Sequence, residues 1–259
     1  ALREPPFGMK EGPIPVLICL FLIINSDELA LYQEDAFIPY LASEEMELMV
    51  KRPEFFSIRR FVPIGIQGRI FQIYRNLLNT SPVSEDAQLR NATMVSVVGP
   101  LVQFVNGLPD YVRHSRALTR EAQNVRHTLL QAKDPIRLLF TDIPNAIGLS
   151  PFDDEDSVAE ADVKAFQVRF RTVLAELAGA YGRLTEDIKS VIMAVFGAKN
   201  VKSLRVELKE RVKPLVEKCG DKELKPFLSA ISGSADTDKD WVISVATIVS
   251  KRPVDSWGD

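Results

Sequence analysis

The chain is poor in cysteine, histidine and tryptophan, with two of each among 259 residues. Cys19 and Cys219 lie too far apart in sequence to suggest a disulfide framework. Cys19 also falls in an apolar run, where a thiol behaves as a small core hydrophobe, so a reducing, cytoplasmic compartment is expected. Long hydrophobic runs are missing too. The longest, Ile14 to Ile24, is interrupted at Pro15 and reaches about half of the roughly 20 residues that a membrane helix needs. Lys10 and Glu11 before it and Asn25-Ser26-Asp27-Glu28 after it give no signal-peptide pattern, so the run reads as a central, buried helix and no membrane association is expected. An excess of positive charge is lacking, with a net charge of -3 and a pI of about 5.6, which weighs against a dedicated nucleic-acid binder but leaves a local basic face open. Neither a glycine-rich phosphate loop with Lys-Ser/Thr nor a Gly-x-Ser-x-Gly elbow is present, so no ATP hydrolysis or nucleophilic catalysis is expected of this chain, and no cofactor. No internal repeat is found.

What the chain does contain is the ordinary balance of a folded protein, 46% hydrophobic and 26% charged residues. Pro13 and Pro15 suit the first turn of a helix that Val16 to Ile24 continues. Glu28 to Gln33 and Ala36 to Ile38 suggest two strands around Glu34-Asp35. A short helix from Ser43, stopped by Pro53, precedes a third strand over Phe56 to Val62. The expectation is a mainly α protein: a small α+β, winged-helix-like unit over residues 1–62, then a multi-helix domain over 63–259 with a subdivision near 150. In that domain Ile70, Ile73, Tyr74 and Leu77 share one helical face before a turn at 79–82. Leu89 to Val105 forms a helical segment interrupted or bent near Gly99-Pro100, and Thr119 caps a helix that turns Ala122, Val125 and Leu129 inward. Pro135 opens a short helix through Phe140. Val163 to Leu177 forms an amphipathic helix ended by Gly179 and Gly182, Thr185 starts another, and Val201, Leu204, Leu208 and Leu215 define one more. Trp241 to Val249 reads as a last helix or a buried strand.

The residues with any promise of chemistry are cationic. Arg113, Arg116, Arg120 and Arg126 surround His114 and His127, and Lys51-Arg52 and Arg59-Arg60 sit in the small unit. Arg59, Arg60, Arg113, Arg116, Arg120 and Arg126 are therefore the candidate contacts to phosphate or nucleic acid, set against a plain solvated face. The two histidines lack Cys or carboxylate partners at ligand spacing, so no metal site is expected. Asp236-Thr237-Asp238-Lys239-Asp240 imitates the start of a calcium loop, but Trp241 stands where the glycine belongs and Thr247 where the glutamate belongs. The acidic run Asp153 to Asp156 is expected to support a helix N-terminus. Nine basic residues against five acidic ones between Lys199 and Lys225 read as a solvated helix face.

Three segments carry a resemblance: Arg3-Glu4-Pro5-Pro6-Phe7-Gly8-Met9-Lys10-Glu11-Gly12-Pro13-Ile14-Pro15 leading into the apolar helix and Ala30-Leu31-Tyr32, Leu108-Pro109-Asp110-Tyr111, and Asp134-Pro135-Ile136-Arg137-Leu138-Leu139-Phe140. They resemble the region after the P-loop domain in very large bacterial ATPases of phage-defence gene clusters, including bacteriophage-exclusion systems. The resemblance covers about a quarter of the chain and no catalytic residue. It implies a piece of a longer polypeptide that contacts other domains of its parent, relays nucleotide state, or touches DNA. A non-catalytic interaction or regulatory module is the expectation, with nucleic-acid binding through the winged-helix-like unit and the arginines as the alternative. A third option is an arginine, Arg116 or Arg120, that completes a phosphate site on another domain.

Overall fold

The computed structural model describes residues 3–10, 12–25, 28–38, 43–61, 64–78, 92–152, 159–216, 218–233, 235 and 237–257, without the side chains of 92, 93, 95 and 96. The turn expected at 79–82 and the acidic run at 153–156 lie outside these residues. The protein is mainly α-helical, with a small N-terminal α+β unit built on a three-stranded antiparallel sheet and a helical region after it. Chain contacts divide it into two compact units, Ala1–Gly107 with Glu121–Val173, and Leu108–Arg120 with Leu174–Asp259.

In the first unit, helix α1 (Pro13–Ile24) starts with its two prolines at positions whose N–H groups have no helical partner in any case. Strands β1 (Leu29–Gln33) and β2 (Ala36–Ile38) form a hairpin whose two turn residues, Glu34 and Asp35, have φ of 49° and 66°. Positive φ at both central residues is what a two-residue turn needs to match the twist of its strands. Helix α2 (Ser43–Lys51) and a 3₁₀ turn at Pro53–Phe55 lead to β3 (Phe56–Arg60), and the sheet order is β2-β1-β3. Central β1 is buried on both faces: Leu29 and Leu31 join Leu22 and Met49 in one cluster, while Ala30 and Tyr32 point the other way.

Helix α3 (Gly65–Leu78) buries Ile66, Ile70, Phe71 and Tyr74, and α4 (Ala92–Asn106) continues through Pro100 without a break. Helix α5 (Asp110–His114) belongs to the second unit. Helix α6 (Arg120–Leu130) buries Ala122, Val125 and Leu129, the three residues its period picks out. Helix α7 (Pro135–Arg137) runs through a π-helical turn, Leu138–Asp142, into α8 (Ile143–Ala146). Tyr74 packs edge-on against Phe166 and Phe170, with ring centroids 5.2 and 5.3 Å away, and Phe152 meets Phe166 at 5.4 Å.

One expectation fails at α9 (Glu160–Phe196), a single 37-residue helix where the glycines promised two. Gly179 and Gly182 cost the helix roughly 1 kcal/mol each relative to alanine, but no proline follows to enforce a stop. Leu177 and Ala180 are buried around them, and packing outweighs the penalty. Thr185, expected to cap a new helix, instead donates its hydroxyl to the Tyr181 carbonyl one turn back, at 2.9 Å.

The second unit gathers the last part of α9, α10 (Val201–Val216), α11 (Leu224–Ser232), α12 (Asp238–Ser250) and a 3₁₀ turn at Val254–Ser256. Val201, Leu204, Leu208 and Val212 of α10 pack with Leu228, Ile231, Trp241, Val242 and Val245. Leu215, expected inside, is exposed, and Val212 takes its place on the buried face. Trp241 to Val249 is helical, with the Trp241 indole N–H donating to the Ile231 carbonyl at 3.3 Å. Helix α11 was not expected from the sequence.

Candidate functional site

The six candidate arginines fall into two groups, Arg59, Arg60 and Arg126 in the first unit, Arg113, Arg116 and Arg120 in the second. Arg59 lies on β3 with its guanidinium 4.8 Å from the centroid of the Tyr32 ring and its Nη1 donating to Asp134 at 2.8 Å. The Tyr32 hydroxyl donates to the other oxygen of the same carboxylate at 3.0 Å. That oxygen also accepts the N–H groups of Ile136 and Arg137, so Asp134 caps α7 and holds the sheet at once. Burial, and then the Asp134 charge, push the Tyr32 hydroxyl above the usual tyrosine range. Arg60 pairs with Glu28 at 3.0 Å, and Arg113 approaches Asp110 at 3.5 Å within α5. Arg116 and Arg126 engage other groups of the protein, and Arg120 is exposed at the start of α6.

Two further features follow from the fold. The first is α1, which carries no charged side chain. A helix that is apolar all round calls for burial on every side, yet only Leu22 of α1 is fully buried. Its partners explain this: three strands cover only the Ile18, Cys19 and Leu22 side. Val16, Leu17, Leu20, Phe21, Ile23 and Ile24 are 42 to 78% exposed. Beside them Pro15 and Ile18 of α1, Met49 and Val50 of α2, and Phe56 and Ile58 of β3 line a groove of about 470 Å³. The burial expected of this helix is thus corrected, because the small sheet offers it a single face.

The second feature is a polar cleft of about 560 Å³ at the end of α6 and along α7 and α8. Its lining includes His127, Gln131, Lys133, Asp134, Arg137 and Asn145. Sequence reasoning singled out His127 for its arginine neighbours and passed over the rest, because nothing in their spacing brings α6 to α8. The α10 face Lys202, Arg205 and Lys209 lines a third depression, where Arg205 is held by Asp238 at 2.7 Å and by the Ala235 carbonyl at 2.8 Å. The imitation of a calcium loop is a helix start: Thr237 accepts the Asp240 N–H at 3.1 Å and donates its hydroxyl to the Asp240 carboxylate at 2.6 Å. Among the described residues no group of three or more His, Cys, Asp or Glu side chains could hold a metal, and no helix is long and apolar enough to cross a membrane.

No protein-family model, curated protein or solved structure matches the chain.

Proposed function

We propose that this chain is a non-catalytic interaction and regulatory module of a larger bacterial protein that also carries an ATPase, and that α1 docks onto another domain of that parent. The exposed apolar surface of α1 carries the reading. Contiguous apolar surface of this kind, six large side chains on one short helix, is characteristic of a protein-protein contact, and scattered exposed residues would not form a stripe and groove together. The opening residues that resemble the phage-defence ATPases run directly into this helix.

Charge weighs against the alternative of nucleic-acid binding. A recognition helix needs a basic face, whereas α1 has no charge and α2 holds Glu44, Glu45 and Glu47 against Lys51. Arg59 and Arg60 already face carboxylates. Photo-crosslinking from Leu20 and Ile24 in the parent protein, in its own cells, tests the proposal. Crosslinks within the parent chain, lost when Phe21 is changed to Glu, are expected. Crosslinks to lipid, or none from either position, overturn it. A DNA titration between about 50 and 200 mM salt checks the alternative, and no measurable binding at the lower salt is expected.

A further inference from the structure

We propose that the polar cleft formed by α6, α7 and α8 binds a small phosphorylated, hydroxyl-rich molecule of the sugar-phosphate class, independently of the docking surface on α1. At about 560 Å³ the cleft has the size of a small-molecule site, and the amides and charges among its lining residues suit a polar occupant. Its two carboxylates are already committed. Asp134 is held by Arg59, Tyr32 and two backbone N–H groups, and Asp142 accepts from the Arg137 Nε at 3.2 Å. Lys133 and His127, by contrast, have no side-chain partner among the described residues. The surplus charge in the cleft is therefore positive. The C-terminus of α6 contributes about half a negative charge, which the full charge of Lys133 exceeds.

The remaining lining adds direction to this charge. Gln131 and Asn145, likewise without side-chain partners among the described residues, offer both donors and acceptors at the rim, which suits hydroxyl groups better than a bare anion. Asp142, the last residue of the π-helical turn Leu138–Asp142, lines the cleft, and such turns are a rare geometry that recurs at functional sites. Lys133 is exposed and has no side-chain partner among the described residues, so its replacement removes no contact that holds the fold and isolates the binding effect.

Isothermal titration of the purified protein with ribose 5-phosphate, ribose and inorganic phosphate tests the assignment. Saturable binding of ribose 5-phosphate is expected, tighter than that of phosphate and absent for ribose. Lys133→Ala is expected to weaken it at least tenfold, with Lys209→Ala in the second unit leaving it unchanged. Equal affinity for phosphate and ribose 5-phosphate overturns the hydroxyl-rich class. Absence of saturable binding, or binding indifferent to both Lys133→Ala and His127→Ala, overturns the site.

Discussion

Pro144 removes one N–H from a buried stretch, and two residues distant in sequence repair the loss. In an α-helix that N–H would serve the Phe140 carbonyl, and in a π-helix the Leu139 carbonyl. The Phe152 N–H reaches Phe140 at 2.7 Å and the Tyr74 hydroxyl reaches Leu139 at 2.8 Å, so both carbonyls are satisfied. Tyr74→Phe keeps the ring in its aromatic cluster but strands the Leu139 carbonyl, and it is expected to cost about 1 to 3 kcal/mol in urea unfolding at pH 8. Its pH dependence follows from the same burial, which holds the Tyr74 hydroxyl protonated well above the ordinary tyrosine range. A group whose folded pKa is raised contributes stability in full below its unfolded pKa, near 10, and loses it as pH rises toward the folded value. The wild-type protein should therefore weaken above pH 10 by up to about 1.4 kcal/mol per pH unit for this group, and Tyr74→Phe should have a shallower alkaline limb. Equal limbs would refute the role given to its burial. Tyr74 was readable in the sequence as a core residue from its period, but its hydroxyl partner was not, since no local pattern reports which carbonyl a distant proline has orphaned.

At the scale of the element, α9 shows where local rules stop. The hairpin was recognisable because alternation in Leu29 to Gln33 and the polar pair Glu34-Asp35 act within a few residues. Helix α6 was recognisable for the same reason, its Ala122, Val125 and Leu129 repeating at helical spacing. Gly179 and Gly182 gave an equally local signal of termination, and there the packing of a 37-residue helix overrode it. The override leaves a measurable reserve. A methyl group at Gly182 would meet nothing within 4 Å, and its φ lies outside the left-handed region, so Gly182→Ala is expected to stabilise the protein by about 0.5 to 1 kcal/mol. At Gly179 a methyl group would come within 3.3 Å of the Arg183 guanidinium, which donates to the Glu176 carbonyl at 3.1 Å. Gly179→Ala should gain less for that reason. Thermal unfolding followed by circular dichroism ranks the two, and a larger gain at Gly179 would contradict the geometry. Helix α1 was misjudged in the opposite sense: its composition called for full burial, and composition cannot say how much surface the rest of the chain supplies.

At the scale of the molecule, sequence reading divides a chain into consecutive blocks, and here the units are not consecutive. Leu108–Arg120 belongs with residues after Leu174, and α5 packs against the turn Val254–Ser256 near the far end of the chain. Leu108, Val112 and Leu118 are buried in that unit, as is Val254. Pairings of such sequence separation leave no periodic trace, which is why the insertion of 108–120 went unseen. The candidate arginines were read as a pair in the small unit and a run from Arg113 to Arg126, and the fold splits that run, with Arg126 in the first unit and Arg113, Arg116 and Arg120 in the second. A fragment ending at Val173 would retain Leu108–Arg120 without the elements that bury it. Limited proteolysis is then expected to cut that fragment between residues 108 and 120 under conditions where the intact protein resists there, because the backbone of an unpacked segment opens readily. Equal protection of 108–120 in fragment and intact protein would mean that this segment draws its order from the first unit, and the discontinuous division of the chain would have to be given up.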